Sequence, residues 1–195
     1  MLFRSSFYNE TDGIDIHPTP VVGLLGLADP MPGTPPRLSR AEEGMEIWEI
    51  GPEANGNLSG TAAQRVIHDE LTGRPTPPDP DAAEKVVALA ADLAHRVPVL
   101  HDISDGGLAV AIAEVCIASQ IGANVAETDN GRLFSEDPHR LIAVLEPHTV
   151  ELPEGLSRKV GTIRGDSLVL GSSDPIDVRR LIETFEGAIP RRMAG

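Results

Sequence analysis

The sequence predicts an α/β fold, one mixed β-sheet with helices mainly on one face. Three observations carry this. First, Val97-Pro98-Val99-Leu100 reads as a short buried strand, followed by the acidic turn His101-Asp102-Ile103-Ser104-Asp105, the pair Gly106-Gly107 and an apolar run to Ile121. Second, strand and helix signals intermix along the chain without a strict β-α repeat. Third, 41% of the 195 residues are hydrophobic but only 3% aromatic, so a core must rest on Val, Ile, Leu and Ala.

The central segment is read first. Leu108, Ile112 and Val115 recur at helical spacing, with Ala109, Ala111, Ala113 and Ala118 between them allowing close packing. The glycines admit backbone angles that other residues avoid. Two readings of the turn stand side by side. Asp102 and Asp105 are helix caps and the glycines simply turn the chain. Alternatively, the acids and the free N–H groups of the helix start receive a magnesium ion and phosphates.

The remaining elements follow in order. Met1 to Ser5 reads as foreign to the fold, and the chain is expected to begin within a larger one. Thr11-Asp12-Gly13 is a turn and Val21 to Leu27 a buried strand. Asp29 to Arg40, with four prolines, is a linker that places a domain boundary near Leu38. Met45 to Ile50 is a strand and Gly51 to Gly56 a loop. Leu58-Ser59-Gly60-Thr61 opens a helix to Leu71; Ser59 and Gly60 are able to contact a ligand, but an N-cap is the commoner role. Asp81 caps a helix bearing Val86, Leu89, Ala90 and Leu93 on one face, and Pro98 ends it. Ala123 to Glu127 is a strand, Leu133 to Asp137 a loop and Leu141 to Leu145 a strand. Val160–Ile163 and Leu168–Leu170 form a hairpin around Arg164-Gly165-Asp166. Asp174-Pro175 starts a last helix with Val178, Leu181, Ile182 and Phe185 on its apolar face.

Charge and cysteine content exclude several classes. A net charge of −14 argues against a nucleic-acid or anionic-membrane surface. Cys116 alone gives neither a disulfide framework nor a cysteine metal cluster, and it reads as a buried filler. No apolar run approaches the roughly 20 residues that span a bilayer, and no signal peptide is visible, so the cytoplasm is the expected compartment.

Four separated motifs carry a family resemblance. They are Ser6-Phe7-Tyr8-Asn9-Glu10-Thr11 with Pro18-Thr19-Pro20-Val21-Val22-Gly23; His101 to Leu108; Leu133-Phe134-Ser135-Glu136; and Phe185-Glu186-Gly187-Ala188-Ile189-Pro190-Arg191. Together they resemble the C-terminal end of the synthetase subunits of phosphoribosylformylglycinamidine synthase. The resemblance implies an aminoimidazole ribonucleotide synthetase-like C-terminal α/β domain over 38–195. It is preceded over 1–37 by a remnant of an ATP-binding-type domain and linker. It implies an ATP-dependent ligase of purine biosynthesis, in which a formyl amide oxygen is phosphorylated and ammonia then displaces phosphate. ATP and magnesium are implied for the full-length enzyme and none for this piece, which is expected to be inactive alone. Partners implied are the missing N-terminal part, a glutaminase subunit and a small accessory subunit.

Site residues carry over one by one. Ser6 aligns with a substrate-binding serine of a Gly-Asn-Val-Ser run, whereas Phe3, Arg4 and Ser5 replace its Gly, Asn and Val, removing the ATP and magnesium contacts. The family's catalytic histidines lie upstream, so His101 is not one of them. By analogy with the family's first half, Asp102 corresponds to a magnesium-binding acid and Glu136 to a substrate-contacting loop. Two alternatives stay open: another enzyme of the same superfamily, or a non-catalytic module that docks a partner.

Overall fold

The computed structural model describes residues 10–15, 23, 25 and 36–194. Ser6 and most of the expected strand Val21–Leu27 lie outside the described residues. The chain divides into two compact units, 1–31 and 32–195. In the first, β1 (Glu10–Thr11) and β2 (Ile14–Asp15) pair antiparallel. They are joined by Asp12 at φ 54° and Gly13 at φ 78°. Positive φ at both loop residues matches the twist of the strands and explains the Asp-Gly sequence.

The second unit is built on a seven-stranded sheet. At its centre β3 (Glu46–Ile50) pairs antiparallel with β6 (Leu141–Leu145) and with β7 (Ser157–Ile163). Beyond β6 lies the edge strand β4 (Val99–Asp102). Beyond β7 lie β5 (Ala123–Val125), then β8 (Ser167–Leu170), then β9 (Ile176–Asp177). The β5–β8 pair is parallel and the others antiparallel, which makes the sheet mixed as expected.

β6 shows how the core is divided. Ile142 and Val144 face one apolar cluster, and Leu141, Ala143 and Leu145 face another. A strand buried on both faces reads as an unbroken apolar run rather than an alternating one. The first cluster takes most of the helices. α3 (Gly107–Ser119) buries Leu108, Ala109, Ala111, Ile112, Val115 and Cys116 there. α4 (Asn130–Phe134) and α5 (Val178–Glu186) add Leu133 and Val178. Complete burial of Leu108 and Ile112 is worth about 1.5–3 kcal/mol each. On the opposite side α2 (Pro80–Leu93) presses Leu93 and Leu89 onto Ile50, Ala143 and Leu145.

Several local expectations are corrected. The cap of α2 is Asp79, whose side chain accepts from the Asp81 and Ala82 amides; Pro80 occupies the first helical position, where its missing N–H costs nothing. α1 (Ala62–His68) is capped by Thr61 but stops at Asp69, which adopts φ 53°, short of Leu71. Leu133 and Phe134 belong to α4, started by the Asp129 carboxylate, and are not loop. Strands β7 and β8 exist but do not form a hairpin, because β5 inserts between them. The last helix starts at the Asp177 cap, since Ile176 and Asp177 are held as a strand against β8. Residues after it form a further helix, α6 (Ala188–Ala194). The first strand of the central motif runs Val99–Asp102, two residues later than the apolar run suggested. Among the described residues, no helix is long and apolar enough to cross a membrane.

Candidate functional site

The turn between β4 and α3 has no side-chain cap. Gly106 is the N-cap residue at φ 85°, and Gly107 follows at φ 68°. This sets aside the reading of Asp102 and Asp105 as helix caps. A side chain at Gly107 is also barred by space. A Cβ there would lie 2.7 Å from the carbonyl oxygens of Leu133 and Ser135. The glycine therefore lets the end of α4 press against the helix start.

The amide that this turn offers is taken by the protein itself. Glu136 Oε1 accepts from Gly106 N–H at 2.7 Å and from Ala62 N–H at 2.8 Å. One carboxylate oxygen thus joins the starts of α3 and α1, where helix N–H groups and the helix dipole favour negative charge. Its neighbour Asp137, buried, accepts from the Asn55 amide at 3.0 Å and from the Thr76 hydroxyl. Glu136 and Asp137 line a small recess of about 70 Å³ together with Ser59, Gly60, Thr61 and Thr76. Glu136 and the Ser59-Gly60 pair, separate signals in the sequence, are brought together here.

Asp102 is placed apart from this. Its side chain is 65% exposed at the end of β4, with Oδ1 3.3 Å from His101 Nδ1. His101 Nε2 lies 2.7 Å from Glu114 Oε2 on α3, so the imidazole straps the edge strand to the helix between two carboxylates. Among the described residues, no group of three or more His, Cys, Asp or Glu is placed to hold a metal ion.

Sequence reading missed a second polar cluster. Arg140, buried, donates from Nε to Glu49 Oε1 at 2.7 Å and from Nη1 to the Ser135 carbonyl at 3.1 Å. Its Nη2 lies 2.6 Å from the same Glu49 oxygen, close enough to pair but off hydrogen-bond alignment. Glu49 Oε2 then meets Arg158 Nη2 at 2.7 Å, and Arg158 Nη1 meets Glu127 Oε2 at 3.0 Å. The available signal was Glu49 itself, a charge inside the apolar run Ile47 to Ile50. Its partner stands 91 residues away. Burial works to raise the Glu127 carboxyl, but the Asp129 amide, the Arg158 guanidinium and the Thr128 amide outweigh it and hold it below 4.5. Cys116 is buried, and desolvation pushes its thiol up to about 12, which removes its nucleophilic character near neutral pH.

The recess at Glu136 is by itself too small to enclose a nucleotide. It is about 70 Å³, against a few hundred for typical ligand pockets. The Glu136 oxygen facing the helix starts is already committed to two amides. The chemistry the arrangement supports is fastening: one loop, 135–140, fixes α1, α3, β3 and the 55–76 segment to one another.

The family model described as "AIR synthase related protein, C-terminal domain" matches residues 42–159. The chain is 34% identical over 199 residues to phosphoribosylformylglycinamidine synthase subunit PurL of Thermobifida fusca, covering 95% of this chain and 26% of that protein. It is 33% identical over 204 residues to the subunit of the same name from Methanothermobacter thermautotrophicus, covering 97% and 28%. The chain thus spans about a quarter of the length of the curated relatives it matches. In fold it is similar to Thermotoga maritima PurL complexed with FGAR, with TM-score 0.60, 16% identity, and coverage of 74% of this chain and 29% of that one. It is also similar to hydrogenase maturation protein HypE in complex with ATP, with TM-score 0.50, 18% identity, and coverage of 75% and 55%.

Proposed function

The chain belongs to the AIR synthase related proteins, through the C-terminal domain of that family, and from this we propose that it is the scaffold portion of a phosphoribosylformylglycinamidine synthase. The assembled enzyme converts formylglycinamide ribonucleotide, ammonia and ATP to formylglycinamidine ribonucleotide, ADP and phosphate. The observation that carries the reading is the alignment over 95% of the chain with a subunit of that name. Within that enzyme, this chain holds a rigid wall. Glu136 sets the relative position of α1 and α3. Asp137 and Arg140 lock the loop that carries it. Positioning of this kind lowers a barrier only when other groups complete the site.

Residues 1–37 serve in this proposal as the edge of an ATP-binding-type domain and 38–195 as the C-terminal domain, with Ser6 the one substrate contact. Nucleotide and magnesium are held by the remainder of the enzyme, and ammonia arrives from a glutaminase partner assembled with a small accessory subunit. In this proposal the cytoplasm is the compartment of the reaction. Glu136 acts through the backbone amides it holds, whereas Asp102, exposed beside His101, takes no part in that fastening.

A graft tests the proposal. The matching last quarter of the Thermobifida fusca subunit is replaced by this chain, and ADP release is followed with formylglycinamide ribonucleotide, ammonia and ATP. Substrate-dependent ADP release supports the reading. A folded, nucleotide-binding graft that forms no product overturns it.

A further inference from the structure

The α5–α6 face is where exposed apolar surface and unpaired positive charge coincide. Phe185 is 61% exposed, Ile189 71% and Met193 83%, at four-residue intervals. Phe185 also walls a recess of about 340 Å³ with Ile117, Ile176, Leu181, Thr184 and Arg180. The face is held in shape. Arg191 folds back so that Nη2 donates to the Thr184 carbonyl at 3.0 Å and Nη1 reaches the Glu183 carbonyl at 3.4 Å, closing the end of α5. Among the described residues, the guanidinium groups of Arg180 and Arg192 make no hydrogen bond or ion pair.

The charge of this face is opposite to that of its molecule. The chain as a whole carries −14, yet 178–194 holds Arg179, Arg180, Arg191 and Arg192 against Glu183 and Glu186. A second copy meeting it face to face would set these arginines against themselves. An anionic membrane would be repelled by the remaining acidic surface and would leave a walled recess unfilled. An apolar stripe at helical spacing flanked by cations matches a helix of the opposite sign.

We propose that the α5–α6 face docks an acidic amphipathic helix of a different protein chain, with an apolar side chain in the Phe185 recess and carboxylates against Arg180 and Arg192. The proposal stands independently of the ligase assignment.

The test uses the full chain and fluorescence anisotropy. The probes are a labelled Leu/Glu amphipathic helical peptide, its Leu/Lys counterpart of equal length, and vesicles of phosphatidylcholine with phosphatidylglycerol. The Leu/Glu peptide is expected to bind saturably, more weakly as salt rises. Phe185→Asp and the pair Arg180→Glu/Arg192→Glu each weaken it by about tenfold or more. These positions are exposed, so circular-dichroism melts of the variants should match the parent. Should Phe185→Asp unfold, the arginine pair decides alone. The proposal is overturned by absent binding, by equal binding of the Leu/Lys peptide, or by insensitivity to the variants. It is overturned equally by vesicle binding in place of peptide binding, or by self-association in light scattering that Phe185→Asp abolishes.

Discussion

Glu136 holds Gly106 by its amide, at 2.7 Å, across 30 residues of chain. The same oxygen holds Ala62 at 2.8 Å. An N–H that the sequence offers to an outside anion is therefore engaged by an internal one. Glu136→Ala leaves both amides without this partner in a part-buried setting, and the fold should lose about 1–3 kcal/mol. Glu136→Gln keeps an acceptor oxygen and should lose less. Urea unfolding measures both, and amide exchange at Gly106 and Ala62 should quicken in the alanine variant. Unchanged exchange there would remove Glu136 from its structural role.

Gly107 offers a sharper test of the same turn. Its φ of 68° and the two carbonyls 2.7 Å from where a Cβ would stand both oppose any side chain. Gly107→Ala is expected to destabilise by about 1–3 kcal/mol from the backbone strain alone, with more from the clash. By contrast Gly165→Ala meets no atom within 4 Å but shares a positive φ of 72°, so it should cost only about 1 kcal/mol. Equal melting temperatures for the two variants would contradict the close approach at Gly107.

The Glu49–Arg140 pair predicts a non-additive result. Both side chains are buried, at 3% and 0% exposure. Arg140→Met leaves Glu49 with only the half-exposed Arg158 and should cost about 3–5 kcal/mol, whereas the joint change to Glu49→Leu/Arg140→Met should recover much of the loss. A double variant as unstable as the sum of the singles would show that the two residues act separately.

Acid should weaken the fold through named carboxylates. The Glu46 carboxyl is lowered chiefly by its hydrogen bond from Lys159, against an opposing effect of burial and with help from Trp48. Glu127 is likewise held below 4.5, by groups that overcome its burial. A carboxyl depressed in the folded state stabilises it fully above the unfolded value of 4.5 and loses that contribution as pH falls through the folded one. Stability from urea titrations should therefore be flat in these groups near neutrality and fall below about pH 4.5. Glu127→Gln should flatten that fall, and an unaltered slope would exclude it as a contributor.

What the sequence reveals depends on how locally each feature is specified. The β6 segment Leu141–Leu145 is legible to the residue because both its faces are buried and turn signals bound it. The α3 helix is legible because its apolar residues are too continuous to be anything else of that length. The separation of β7 from β8 is not, because nothing near Arg164-Gly165-Asp166 indicates that three residues from Ala123 to Val125 will slide between the strands. Glu136 is legible as a singular residue but not in its role, since its amide partners are set by tertiary packing. Arg140 looks like an ordinary charged residue before a strand, and only the fold brings Glu49 to it.

The central claim is that this chain shapes a reaction site which other polypeptide completes. Titration calorimetry of the full chain with ATP and magnesium measures it most directly. The account predicts no saturable heat, with or without formylglycinamide ribonucleotide. Stoichiometric ATP binding by this chain alone would contradict it.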